Sequence, residues 1–237
     1  MDLGLDGKVA LVAASSKGLG FAAASALAAE GCRVAINGHD ESRLAAAAAS
    51  IGSETLPLLG DITDERMPAR LVGQTVERFG GLDILVANAP GPPQARALEV
   101  ADDVLRAAVE ANLLTSVRLV REAVPHMRRS AWGRIVLCTS WGIKQPIPGL
   151  AASNTARTGL WAWAKTAAAD LIDDGITLNV LAPGLHETDR ARALGATGRM
   201  GDPGDFGAIA AFLCSDRTGF LSGTAIQVDG AATLGLT

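Results

Sequence analysis

Ser153 and Arg157 stand four residues apart in the run Gly-Leu-Ala-Ala-Ser-Asn-Thr-Ala-Arg-Thr-Gly-Leu, residues 149–160. On a helix that spacing puts both on one face, with Cβ atoms about 5–6 Å apart. A hydroxyl beside a cation can decorate a surface, and it can also form a catalytic pair. The chain contains no tyrosine at all, so no phenol is available anywhere as a proton donor.

Other groups with chemical potential follow apolar runs. Ala13-Ala-Ser-Ser-Lys-Gly-Leu-Gly20 comes after one such run. Gly18 and Gly20 there would let the N-terminus of a helix approach a pyrophosphate, whose charge suits the exposed N–H groups and the helix dipole. Ser15, Ser16, Lys17 and Leu19 complete that loop. A turn leading into a helix explains the same glycines without a ligand. The loop Trp141-Gly-Ile-Lys-Gln-Pro-Ile-Pro-Gly149 carries Lys144, a proton donor if partly desolvated and otherwise an exposed loop lysine. His186, just past Pro183-Gly184, is a second titratable candidate, or a packed or solvated histidine.

These groups must be positioned by a regular alternation. Short β-type runs (8–13, 33–37, 55–59, 82–87, 134–139, 176–182 and 224–228) alternate with helical stretches (18–30, 41–50, 64–79, 102–127, 152–172 and 205–213). Asp64 is placed to cap the third helix, and Pro125 to bend the fourth. The pattern predicts a Rossmann-type, doubly wound α/β fold. It has a parallel sheet of about seven strands with helices on both faces, and residues 1–237 form a single dinucleotide-binding domain. Ligands of such sheets bind beyond the carboxyl ends of the strands. That places the search after Ala13, Asn37, Ala87, Thr139 and Ala182.

The totals agree with a compact enzyme-sized domain. The chain has 237 residues, 49% of them hydrophobic, and a net charge of −4. It has no basic block that would suit nucleic acid and no apolar run of the roughly 20 residues a membrane helix needs. Cys32, Cys138 and Cys214 show neither disulfide nor zinc spacing, so no metal site is expected and buried reduced thiols in a cytoplasmic protein are.

Taken together, the chain resembles the short-chain dehydrogenase/reductase family, and within it the β-ketoacyl-carrier-protein-reductase-like members, over nearly its full length. The family's Thr-Gly-x-x-x-Gly-x-Gly matches at Gly18 and Gly20, with Ala14 where the first glycine falls. Asn-Asn-Ala-Gly reads Ala87-Asn88-Ala89-Pro90 here, so a backbone donor is lost at Pro90 beside the expected ribose site. The acid near the adenine matches Asp61 in Gly-Asp61-Ile62, which could equally cap the following helix. The asparagine of the long helix matches Asn112, which could equally mend a helix irregularity. Pro-Gly-x-x-x-Thr is intact as Pro183, Gly184 and Thr188.

The resemblance also places the opening stretch. The family ends its fifth strand with a serine, writes a tyrosine thirteen residues later and a lysine four beyond. Ser140, Ser153 and Arg157 occupy those positions, so Ser-x-x-x-Arg stands for Tyr-x-x-x-Lys. An aliphatic hydroxyl is a far weaker acid than a phenol with a pKa near 10. It is also several Å shorter, and a misplacement of ~1 Å can cost about 10²-fold.

The resemblance implies a nicotinamide cofactor. The acid that would select a free ribose 2′-hydroxyl falls on Gly38. His39 and Lys17 supply basic character, unless His39 is a solvated loop residue and Asp40 beside it a plain helix cap. NADP(H) is therefore expected over NAD(H). The resemblance further implies a small-molecule substrate and a homo-oligomer, a dimer or tetramer. The expected site comprises Asn112, Ser140, Lys144, Ser153 and Arg157 for catalysis. For the cofactor it comprises residues 15–20, His39, Asp61, Ile62, Asn88, Arg157, Pro183, Gly184 and Thr188. Two alternatives remain: a nucleotide-binding protein without hydride transfer, and a non-redox lyase or hydratase using the same pocket. After Thr188 the segment 189–203 is short for a lid over substrate, and it contains three glycines.

Overall fold

The computed structural model describes residues 1–52 and 54–236. Seven parallel strands form one sheet: β1 (Val9–Val12), β2 (Arg33–Gly38), β3 (Leu56–Leu59), β4 (Ile84–Ala87), β5 (Gly133–Cys138), β6 (Ile176–Pro183) and β7 (Ala225–Val228). Their order is β3-β2-β1-β4-β5-β6-β7. The order reverses between β1 and β4, which pair with Ala10 opposite Ile84 and Val12 opposite Val86. The expected doubly wound sheet is present.

The strands run apolar without alternation because both of their faces are covered. Successive residues of β1 and its flank go to opposite cores. Val9, Leu11 and Ala13 join one cluster with residues of α3 (Met67–Phe79), α5 (Thr115–Ser130) and α6 (Ala151–Leu171). Ala10 and Val12 join the other, with α1 (Gly18–Ala29), α2 (Glu41–Ile51) and α8 (Pro203–Leu213). Helices α1 and α8 pack closely, since a methyl at Gly207 would lie 2.4 Å from the Ala22 carbonyl oxygen.

Two helix boundaries differ from expectation. Asp64 does not cap α3. Its carboxylate accepts from the Arg66 N–H at 2.9 Å, closing a turn ahead of the helix, and Pro68 sets the start. The long helix expected over 102–127 is α4 (Asp102–Val109), a π-helical turn at Glu110–Leu114, and α5. Its irregularity therefore centres on Asn112, and α5 continues through Pro125. Trp161 and Trp163, two apart on α6, both pack half-buried against the first core. Among the described residues no helix is long and apolar enough to cross a membrane.

Candidate active site

The β1–α1 loop is built around close backbone approaches. Gly18 lies at φ +61°. A methyl on Gly20 would meet the Ala14 carbonyl oxygen at 2.6 Å and Asn88 Nδ2 at 2.8 Å. Only glycine leaves room there for Asn88 Nδ2 to donate to the Ala14 carbonyl at 3.0 Å. Gly20 therefore acts from beneath the loop. Ser15 does the same: it is fully buried, donating to the Val12 carbonyl at 2.6 Å and accepting from the Asn37 N–H at 3.1 Å. An alanine replaces a glycine without strain only where φ is negative. Ala14 lies at φ +45°, in the left-handed region, so the alanine is strained where the family's glycine is not.

A cavity of about 800 Å³ opens beyond the carboxyl ends of the strands, where the strand order reverses. On one side, beyond β1, β2 and β3, it is lined by Ser16, Lys17, Gly18, Leu19, His39, Asp61 and Ile62. On the other side, beyond β4, β5 and β6, it is lined by Asn88, Ser140, Ser153, Arg157, Pro183, Gly184 and Thr188.

The groups near β2 and β3 have definite partners. Asp61 accepts from the Thr63 N–H at 2.9 Å, and chiefly this bond holds its carboxyl below the usual range. It thus forms a local turn while still facing the cavity. Asp40 caps α2 through the Arg43 N–H at 2.9 Å. A methyl on Gly38 would touch Ser16 Cβ and Oγ at 2.9 Å, so an acid at 38 would force the glycine loop aside. Arg43, one turn into α2, also lines the cavity beside His39. Sequence reasoning missed it, although its place three residues after a helix cap was a usable signal.

At the other end, Ser140 closes a 3₁₀ turn by accepting from the Gly142 N–H at 3.1 Å. Thr188 caps the short helix α7 (Asp189–Ala193) through the Ala191 N–H at 3.2 Å. Ser153 and Arg157 share one face of α6, and both are buried. Arg157 Nη1 donates to the carbonyls of Thr139 at 2.6 Å and Cys138 at 3.2 Å, and Nη2 to Ala89 at 3.5 Å. Burial lowers its pKa to about 10, while the same burial pushes the Cys138 thiol up to about 12.

Two of the expected catalytic candidates, Lys144 and Asn112, lie off the cavity wall, and His186 is packed into it. The Lys144 ammonium sits 4.0 Å from the centroid of the Trp161 ring, held by the indole face rather than turned to substrate. Asn112 is buried in the π turn, where its Nδ2 donates to the Ala108 carbonyl at 3.3 Å and its Oδ1 has no partner among the described residues. His186 does line the cavity, but it is packed: Nδ1 lies 3.2 Å from the Gly184 carbonyl oxygen and the ring is edge-on to Phe206.

The segment after Thr188, short as it is, covers the cavity. Gly201 folds back to pair with Leu185 and Glu187, and Ala191, Leu194 and Ala196 line the wall. Arg190, also unforeseen, crosses to the loop after β4, donating from Nη2 to the Pro92 carbonyl at 2.6 Å. No cluster of metal-binding side chains occurs among the described residues.

Comparison with known proteins agrees with this geometry. A family model described as enoyl-(acyl carrier protein) reductase matches residues 13–233. Dehydrogenase/reductase SDR family member 4 of Homo sapiens is 31% identical over 245 residues, which is 95% of this chain and 87% of that protein. The 3-oxoacyl-[acyl-carrier-protein] reductase of Escherichia coli is 30% identical over 239 residues, 96% of this chain and 98% of that one. L-Sorbose reductase from Gluconobacter frateurii, solved with NADPH and L-sorbose, superposes with a TM-score of 0.93 at 29% identity over the whole of both chains. With the sheet order, the glycine loop and the strand-end cavity on this pattern, the chain belongs to the short-chain dehydrogenase/reductase family.

Proposed function

We propose that this protein is an NADP(H)-linked oxidoreductase of a carbonyl or alcohol substrate that works without the family's tyrosine and lysine. The observation that carries this reading is the single cavity joining the glycine loop and His39 to Ser140, Ser153 and Arg157. Its volume suits a dinucleotide with a small substrate. The residues fit that cofactor. Lys17, Gly18, Leu19 and Thr188 would hold the pyrophosphate region, and Asp61, Ile62 and Asn88 the adenosine side. His39 and Arg43 would face a 2′-phosphate, with no acid at position 38 to oppose it, while Lys17, paired with Asp189 at 3.2 Å, stays on the pyrophosphate side.

When bound, NADPH supplies the hydride that a carbonyl carbon accepts. The protein's part is to orient the carbonyl and stabilise charge on its oxygen. The Ser140 and Ser153 hydroxyls donate hydrogen bonds to that oxygen, and Arg157 provides positive potential from a site of low dielectric. Ser153 is too weak an acid to give up its proton alone, so its Oγ–H passes to the forming alkoxide oxygen as a solvent water protonates Oγ in turn, and the hydroxide left is neutralised by buffer in bulk solvent. Lys144, held against Trp161, has no part in this scheme.

The buried free thiols of Cys32, Cys138 and Cys214 support a reducing, cytoplasmic setting. A homo-oligomer, dimer or tetramer, is part of the same reading. Titration with NADPH and NADH, followed by tryptophan fluorescence with Trp141 on the cavity wall, tests the cofactor. Failure of both to bind overturns the reading. Binding without turnover of any ketone in a panel favours a nucleotide-binding protein or a lyase or hydratase instead.

A further inference from the structure

Two arginines line the part of the cavity beyond β5 and β6. Arg157 is 8% exposed, and its Nη groups are engaged with main-chain carbonyls. Its Nε–H is buried with no acceptor among the described residues. Arg190 spends one N–H on the Pro92 carbonyl. Neither arginine belongs to an ion pair among the described residues. The acids on the cavity wall are occupied: Asp61 with Thr63, and Asp189 with Lys17 and Arg192. Arg190 lies near enough to weaken the hold of Arg157 on its proton.

Two like charges on one enclosed cavity repel each other, and a buried donor without a partner costs about 1–3 kcal/mol. An anion bound at Arg190 offsets the two like charges. Beside them the wall is apolar, formed by Trp141, Ile147, Pro148, Leu185 and Leu194. Guanidinium groups next to an apolar wall match a carboxylate that carries a hydrocarbon body.

We propose that the substrate is an oxo or hydroxy acid with a short apolar chain, its carboxylate held by Arg190 with Arg157 adding positive potential. This rests on reading the cavity as a combined cofactor and substrate site. Hexanoate and hexanamide match in length and differ in charge, so they isolate the carboxylate. Each is titrated into the full chain, with and without NADPH, by calorimetry and tryptophan fluorescence.

The expected result is hexanoate binding at least tenfold more tightly than hexanamide. Arg190→Met removes that preference while NADPH titrates as in the parent. Arg190→Lys keeps part of it, which separates loss of charge from a disturbed lid. Equal affinities for the two probes, no binding of hexanoate, or equal weakening of NADPH and hexanoate in Arg190→Met overturns the proposal. Discrimination between the probes in a protein that does not bind NADPH leaves the carboxylate site standing and removes the cofactor reading.

Discussion

Arg157 Nη1 donates to the Thr139 carbonyl oxygen at 2.6 Å, tying α6 to the carboxyl end of β5. The cation is thereby used partly as scaffold, because a guanidinium can reach several carbonyls at once where a lysine has one nitrogen. Ser153, one turn earlier on the same face, is the residue that the resemblance sets against the tyrosine, and its hydroxyl is a far weaker acid than a phenol.

Restoring both groups should therefore restore the missing chemistry. Ser153→Tyr with Arg157→Lys should raise reduction of a generic ketone by about 10²–10⁴-fold over the parent, the usual worth of a positioned general acid. Ser153→Tyr alone should gain less, because the anchored guanidinium crowds the phenol, and the two changes should be non-additive. The readout is NADPH oxidation under saturating cofactor. No gain in a folded, NADPH-binding double variant would mean that the pocket has been rebuilt for other chemistry.

Cofactor preference should reside in the groups beyond β2. Arg43→Ala should weaken NADPH by about tenfold, the scale of one charge-assisted hydrogen bond, and leave NADH within about twofold. Parallel fluorescence titrations of parent and variant check this. Equal weakening of both cofactors would place Arg43 outside the 2′-phosphate contact.

The strained loop offers a stability test. Ala14 sits at φ +45°, so Ala14→Gly should relieve roughly 1 kcal/mol of left-handed strain. For a chain of this size that is a rise in Tm of about 2–4 °C. Removing the methyl also widens the loop, so NADPH affinity should rise in the same variant. A lower Tm would show that the backbone there relaxes without glycine.

The thiols predict alkaline sensitivity. Burial pushes Cys32 and Cys138 from 9.0 up to about 12, and Cys214 upward as well. Above pH 9 the unfolded thiols ionise while the folded ones stay protonated, so the folded state binds more protons. Stability from this source is complete below pH 9 and is lost as pH rises toward 12. Arg157 acts oppositely, its depressed value of about 10 favouring the folded state as pH climbs above that point. The Tm should thus begin to fall between pH 9 and 10. The fall should be shallower in Cys138→Ala, as melting curves across that range will show.

Much of this protein follows from local sequence. Uninterrupted apolar runs with helices between them dictate a parallel sheet covered on both faces, and Gly18 and Gly20 mark the loop where a helix begins. Spacing alone puts Ser153 and Arg157 on one helical face, and the family resemblance is what sets them against a tyrosine and a lysine. Tertiary structure decided what depends on through-space neighbours. Lys144 left the cavity because Trp161, on a different element, offered its ring face. Ala14 became strained because loop closure over Gly20 and Asn88 sets its φ. Arg43 and Arg190 joined the site because α2 and α7 converge on one cavity from segments about 150 residues apart in the sequence, a proximity that exists only once the sheet has formed.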